Sequence, residues 1–151
     1  MRRLLIIACG ATKRDDARLL PAVLRYDGPP YRTLRAALRS LPPEQHPTIC
    51  ILSAEFGLIA AETPIPDYDR RMTRPRALAL RTQVRDGLAA TLAAGDYAAT
   101  CINLGADYMP ALPLDHESIP RLGVVTAAQG GIGSRMGQMK RWLLATKAAA
   151  R

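Results

Sequence analysis

Four segments of this chain place polar, glycine-bearing residues directly behind apolar runs: CGATKRDD at 9–16, SAEFGLIAAETPIPDYD at 53–69, NLGADY at 103–108 and TAAQGGIGSR at 126–135. The last suits an anion. Gly130, Gly131 and Gly133 permit close backbone approach, a following helix would present unpaired N–H groups, and Arg135 and Lys140 add positive charge. It is not a P-loop, since no Gly-Lys-Ser/Thr follows, nor a dinucleotide fingerprint, since it comes after the last apolar run and not the first. A glycine-rich lead-in to a helix packed through Met136, Met139, Trp142 and Leu143 is the alternative. Lys13 is well placed for an anionic ligand, or is simply solvated. Asn103 lies inside an apolar run, where a buried amide needs partners that a ligand can supply. Glu55, Asp67 and Asp69 bring acids to the second segment, and Ser53 either faces the site or satisfies a backbone group. Gly10, Gly57 and Gly105 read equally well as strand terminators with positive φ. His46 and His116 fall in the proline-rich stretches PEQHP and PLDHESIP and read as surface residues. No Ser/His/Asp order or metal-ligand cluster emerges, so no metal and no cofactor are expected.

The elements that must position these residues follow from periodicity. RLLIIAC (3–9), TICILS (48–53), YAATCINL (97–104) and RLGVVTA (121–127) read as strands buried on both faces. Tyr31, Leu34, Leu38 and Leu41 recur at helical spacing over 30–41, and Pro42-Pro43 ends that helix. A long amphipathic helix runs from Arg74 to Ala94 with Leu78, Leu80, Val84, Leu88 and Leu92 apolar and Gly95 as its stop. A last helix spans 131–150. Strands alternating with helices predict one three-layer α/β domain over 1–151 with a mainly parallel sheet of about four strands. In such a sheet ligands bind outside the carboxyl ends of the strands, where the four segments converge. The stretch from 54 to 69 reads as a long irregular segment, a length a compact domain rarely carries without use.

Bulk properties fit this reading. The 151 residues are 48% hydrophobic and 23% charged, ordinary for a globular protein. No apolar run approaches the ~20 residues that span a bilayer. Arg2 and Arg3 before an apolar run imitate a signal peptide, but the run is short and Lys13 follows, so a first core strand is expected. Cys9, Cys50 and Cys101 have no metal-type spacing and read as buried, reduced residues of a cytoplasmic protein. A net charge of +8 favours a polyanion partner, although a proteome rich in arginine and alanine gives the same texture.

The motifs resemble those of the YaaA-like superfamily and of small uncharacterised domains near it. Cys9, Gly10 and Lys13 match a strand ending in Cys-Gly with a lysine. Tyr26, Gly28 and Tyr31 match a Tyr-x-Gly-aromatic pattern, and Ser53, Ala54, Phe56, Gly57 and Leu58 match Ser-Ala-x-aromatic-Gly-Leu. Tyr68 with Asp69 matches Tyr-Asp, and Gly131-Ile132-Gly133 closes the series. Two departures add negative charge: Asp67 stands where proline is usual, and Glu55 where a basic residue is common.

The resemblance implies nucleic-acid or nucleobase work. The YaaA protein is regarded as a DNA-binding stress protein, and the neighbourhood is similar to an archaeosine-synthase domain and, more distantly, to uracil-DNA-glycosylase-like folds. Cleaving an N-glycosidic bond needs a carboxylate beside an oxocarbenium-like transition state and donors for the departing base. On this reading Asp69 is the catalytic carboxylate, with Glu55 second. Phe56 or Tyr68 stacks on a base. Asn103 reads the base edge, Lys13 and Arg135 hold phosphate, and Gly10, Ser53, Gly57, Gly131 and Gly133 complete the binding site. The expected function is cleavage or exchange of an N-glycosidic bond in a nucleotide or nucleic acid; a non-catalytic DNA-binding domain is the alternative. A nucleic acid or nucleotide is the expected partner, with no membrane and with a homodimer left open.

Overall fold

The first strand of the computed structural model, β1 (Arg3–Ala8), buries Leu4 through Ile7 and leaves Arg3 and Ala8 at its ends half-buried. Leu4 and Ile6 enter one apolar cluster and Leu5 and Ile7 another, because successive residues of a strand point to opposite faces. The structure describes residues 2–149, so Ala150, which the sequence placed in the last helix, lies outside the described residues. β1 pairs in parallel with β3 (Thr48–Ser53) on one side and with β6 (Ala99–Asn103) on the other. Outside β6 lies β7 (Val124–Ala127), also parallel, and outside β3 lies β4 (Gly57–Ala60), antiparallel. The sheet order is β4-β3-β1-β6-β7.

Helices cover both faces. α3 (Arg74–Ala93) packs Ala77, Leu80, Val84, Leu88 and Leu92 against Leu4, Ile6 and Leu52. Thr73 caps it by accepting from the Arg76 N–H at 3.3 Å. α2 (Pro29–Arg39) and α4 (Ile132–Ala149) cover the other face, where Tyr31, Leu34, Met139 and Leu143 meet Leu5, Ile7 and Cys101. This is the three-layer α/β domain with a mainly parallel sheet that the alternating periodicity predicts.

Several expectations are corrected. The segment behind β3 is not irregular throughout: residues 54–56 turn the chain into β4, and β5 (Pro64–Ile65) then pairs with β2 (Leu20–Pro21). The turn depends on Gly57 at φ +75, where a Cβ would collide with the Gln83 side chain. Leu78 is exposed, because it lies about 100° around the helix from Ala77, which is buried. The final strand is shorter than 121–127, and all four of its residues are exposed. It follows a 3₁₀ turn at Ile119–Leu122 and forms the sheet edge, beyond the reach of the covering helices.

Arg25 closes α1 (Ala22–Arg25), an element absent from the sequence reading. It is fully buried, and its guanidinium donates to the carbonyls of Arg14 (2.7 Å), Asp16 (3.0 Å), Arg18 and Ile65 (3.3 Å). It thereby ties the loop behind Lys13 to β5.

Candidate ligand cleft at the carboxyl edge of the sheet

At the carboxyl end of β1 the ladder runs one residue further, the Cys9 N–H donating to the Leu52 carbonyl at 3.0 Å. The chain then leaves the sheet at Gly10 and floors a cleft of ≈ 410 Å³. Gly28 and Pro30 bring in the head of α2, Asn103 and Gly105 the end of β6, and Ile132 and Arg135 the head of α4. The size suits a small organic ligand.

Asn103 is only 6% exposed. Its Oδ1 accepts from Arg135 Nε at 3.3 Å, and its Nδ2 lies 3.4 Å from Met139 Sδ. Arg135 also donates through Nη1 to the Gly130 carbonyl at 2.8 Å, so the guanidinium links the end of β6 to the loop that follows β7. Gly105 packs beside the same guanidinium, where a Cβ would make an ordinary contact 3.4 Å from Arg135 Nη2. Tyr31 is buried and donates its hydroxyl to the Ala8 carbonyl at 2.7 Å, locking the head of α2 to the end of β1.

Cys9 is half-buried, not buried as expected, because the sheet gives way to open cleft at that point. Its Sγ lies 3.2 Å from the Tyr108 hydroxyl. Cys50 and Cys101 are buried as expected, and burial pushes the Cys101 thiol up to about 11. Burial also holds the Tyr108 hydroxyl above its ordinary range, so at neutral pH it is a hydrogen-bonding group and not a charge.

A second cluster adjoins the cleft through Lys13, which neighbours the cleft-lining Thr12 and forms a β-bridge with Tyr26. Lys13 Nζ lies 4.5 Å from the centre of the Tyr68 ring. Tyr68 meets the Phe56 ring edge-on at 5.4 Å, and its hydroxyl lies 3.0 Å from Ser53 Oγ and against the Tyr26 hydroxyl. Ser53 is fully buried, and its Oγ accepts from the N–H groups of Glu55 and Phe56, both at 3.1 Å. Its role is to hold the turn into β4.

The structure therefore sorts the expected residues into groups. Gly10, Asn103 and Arg135 line one cleft. Gly131 and Gly133 are exposed on either side of Ile132, which lines it. Lys13, Ser53, Phe56 and Tyr68 pack together beside it, and the buried Gly57 shapes the β3–β4 turn. Glu55 is half-buried, 3.3 Å from the Arg70 guanidinium, while Arg76 binds its backbone carbonyl. Asp69 is exposed, next to Tyr68. Among the described residues that line the cleft, none is a carboxylate.

Sequence reading missed Tyr108 and Thr12, and only the resemblance pointed to Gly28. Tyr108 lies in NLGADY, where a tyrosine four residues past a strand end was the available signal. His46 Nε2 lies 2.8 Å from the Leu38 carbonyl at the far end of α2, away from the cleft. Among the described residues no group of His, Cys, Asp and Glu side chains could hold a metal ion, and no helix is long and apolar enough to cross a membrane.

The class defined by fold and site is thus a three-layer α/β domain with a largely apolar cleft, carrying the single cation Arg135, at the carboxyl edge of its parallel strands. Neither the family models nor the curated proteins compared with this chain match it.

Proposed function

We propose that this domain binds a nucleotide unit, free or within a nucleic acid, with a phosphate held by Arg135 and the head of α4. The observation that carries this reading is Arg135, placed between Asn103 and Gly130 in a cleft wall with no carboxylate to compete for it. Arg135 stands in the first turn of α4, whose first N–H groups have no partner within the helix. Glycine usage agrees. A Cβ at Gly10, Gly131 or Gly133 would meet nothing within 4 Å, and none of the three has a positive φ. Neither packing nor backbone demands glycine there, whereas close approach of a ligand does. Asn103 and Tyr108 supply polar edges for a base.

The test is binding of mononucleotides and a short labelled oligonucleotide at low ionic strength. Arg135→Ala should weaken binding by at least an order of magnitude, the scale of a charge-assisted bidentate contact. Wild-type protein that binds neither ligand overturns the reading.

The second reading is cleavage or exchange of the N-glycosidic bond. It is favoured by Asp69, which makes no ion pair among the described residues and follows Tyr68, the ring beneath Lys13. Glu55 already serves Arg70. Mass spectrometry of nucleosides and modified DNA incubated with the protein should find released free base, and Asp69→Asn should slow that release by about 10²–10⁴-fold with binding retained. Binding without base release leaves the domain as a nucleic-acid-binding module.

A further inference from the structure

The two edges of the sheet differ. At β4 the Gln83 side chain occupies the edge backbone, its Oε1 accepting from the Leu58 N–H at 2.9 Å and its Nε2 donating to the Leu58 carbonyl at 3.5 Å. At β7 no hydrogen bond among the described residues reaches the outer backbone edge, and three of the four side chains are apolar, with Val124 72% and Val125 39% exposed. The Val124 N–H donates inward to the Ala98 carbonyl at 3.0 Å and the Ala128 N–H to the Ile102 carbonyl at 2.9 Å. Alternation along a parallel ladder therefore turns the N–H and C=O groups of Val125 and Ala127 outward.

Those outward groups are self-complementary. Laid antiparallel about a twofold axis at Thr126, Val125 of one copy exchanges both backbone bonds with Ala127 of the other, and the reverse. Thr126 then faces its own counterpart in the closer, non-hydrogen-bonded pair. Charge selects the occupant. Residues 122–134 carry no charged side chain, the longest such run in a chain of net charge +8. Two copies of net charge +8 repel one another, and the side chains of this strand add nothing to that repulsion. The four side chains of β7 themselves offer a polyanion no cation and an acidic peptide no ion pair; the cation beside them, Arg135, lines the neighbouring hollow. A hollow of ≈ 270 Å³ beside the strand is lined by Leu104, Met109 and Ala127 together with Gln129 and Arg135.

We propose that two copies of this chain pair through β7, joining their sheets into one across the twofold axis. Sedimentation velocity of the full chain over a micromolar concentration series should show a species of twice 16.4 kDa. Val125→Pro removes an outward N–H and no inward one, which an edge strand tolerates, so it should give a folded 16.4 kDa monomer. Thr126→Lys sets two ammonium groups against each other at the axis and should do the same; it decides the matter if the proline variant loses its circular dichroism. A wild-type chain that stays monomeric throughout, or a dimer that survives substitution at the axis, overturns the proposal.

Discussion

Tyr26 shows what burial does to one side chain near the cleft. Its ring is inaccessible to solvent, and burial pushes its hydroxyl up to about 12, although hydrogen bonds with Ser53 and Tyr68 pull the other way. In the unfolded chain a tyrosine titrates near 10. Between about 10 and 12 the unfolded state therefore sheds a proton that the folded state keeps. The stabilisation is fully present below pH 10 and is lost as pH rises through that window, by about 3 kcal/mol for two units. The urea midpoint should stay level to about pH 9 and then fall, and Tyr26→Phe should flatten part of that alkaline limb. An identical limb in the variant would place the titration elsewhere. The same residues explain how site and core interlock: Ser53 looks like a site residue in sequence, but its hydroxyl is consumed by Glu55, Phe56 and Tyr68.

At the scale of the element, the connection into β7 rests on a single glycine. Gly123 has φ +69, and a Cβ there would sit 2.2 Å from the Ala98 carbonyl oxygen, which receives the first ladder bond of the strand. Gly123→Ala must therefore displace β7 or strain the backbone, at a cost of about 3 kcal/mol and a Tm drop of roughly 10 °C. Gly131→Ala is the control, since its Cβ meets nothing within 4 Å. It should leave Tm within ~2 °C of wild type. Equal losses in the two variants would disprove the packing argument for Gly123. If the α4 head grips phosphate, Gly131→Ala should weaken ligand affinity while leaving that melting temperature intact.

For the whole molecule the governing quantity is the net charge of +8. Such a field raises the encounter rate with polyanions, and each phosphate neutralised releases counterions. Log affinity for an oligonucleotide should fall linearly with log salt, and Arg135→Ala should reduce the magnitude of that slope by about 1. Fluorescence anisotropy across a salt series measures both. A salt-independent affinity would point to a neutral ligand and against phosphate recognition.

The four parallel strands, and for the first three of them the two faces they bury, were legible in the sequence; the antiparallel β4 and the exposure of β7 were not. Hydrophobic periodicity is a local property, and Leu4 through Ile7 report it without knowledge of their partners. Gly10, Asn103 and Arg135 could be placed together for the same reason, since strand ends in a parallel sheet share one edge. Tertiary structure decided the rest. Whether Cys9 is covered depends on where the sheet stops. Whether Glu55 is available depends on Arg70, fifteen positions on, and whether Ser53 faces a ligand depends on Tyr26 and Tyr68. Strand order also lay beyond the sequence: β1 and β7 both read as apolar strands, yet one is the middle strand and the other an edge. A run of apolar residues states that burial is favourable and leaves open which neighbour, in the same chain or another, supplies it.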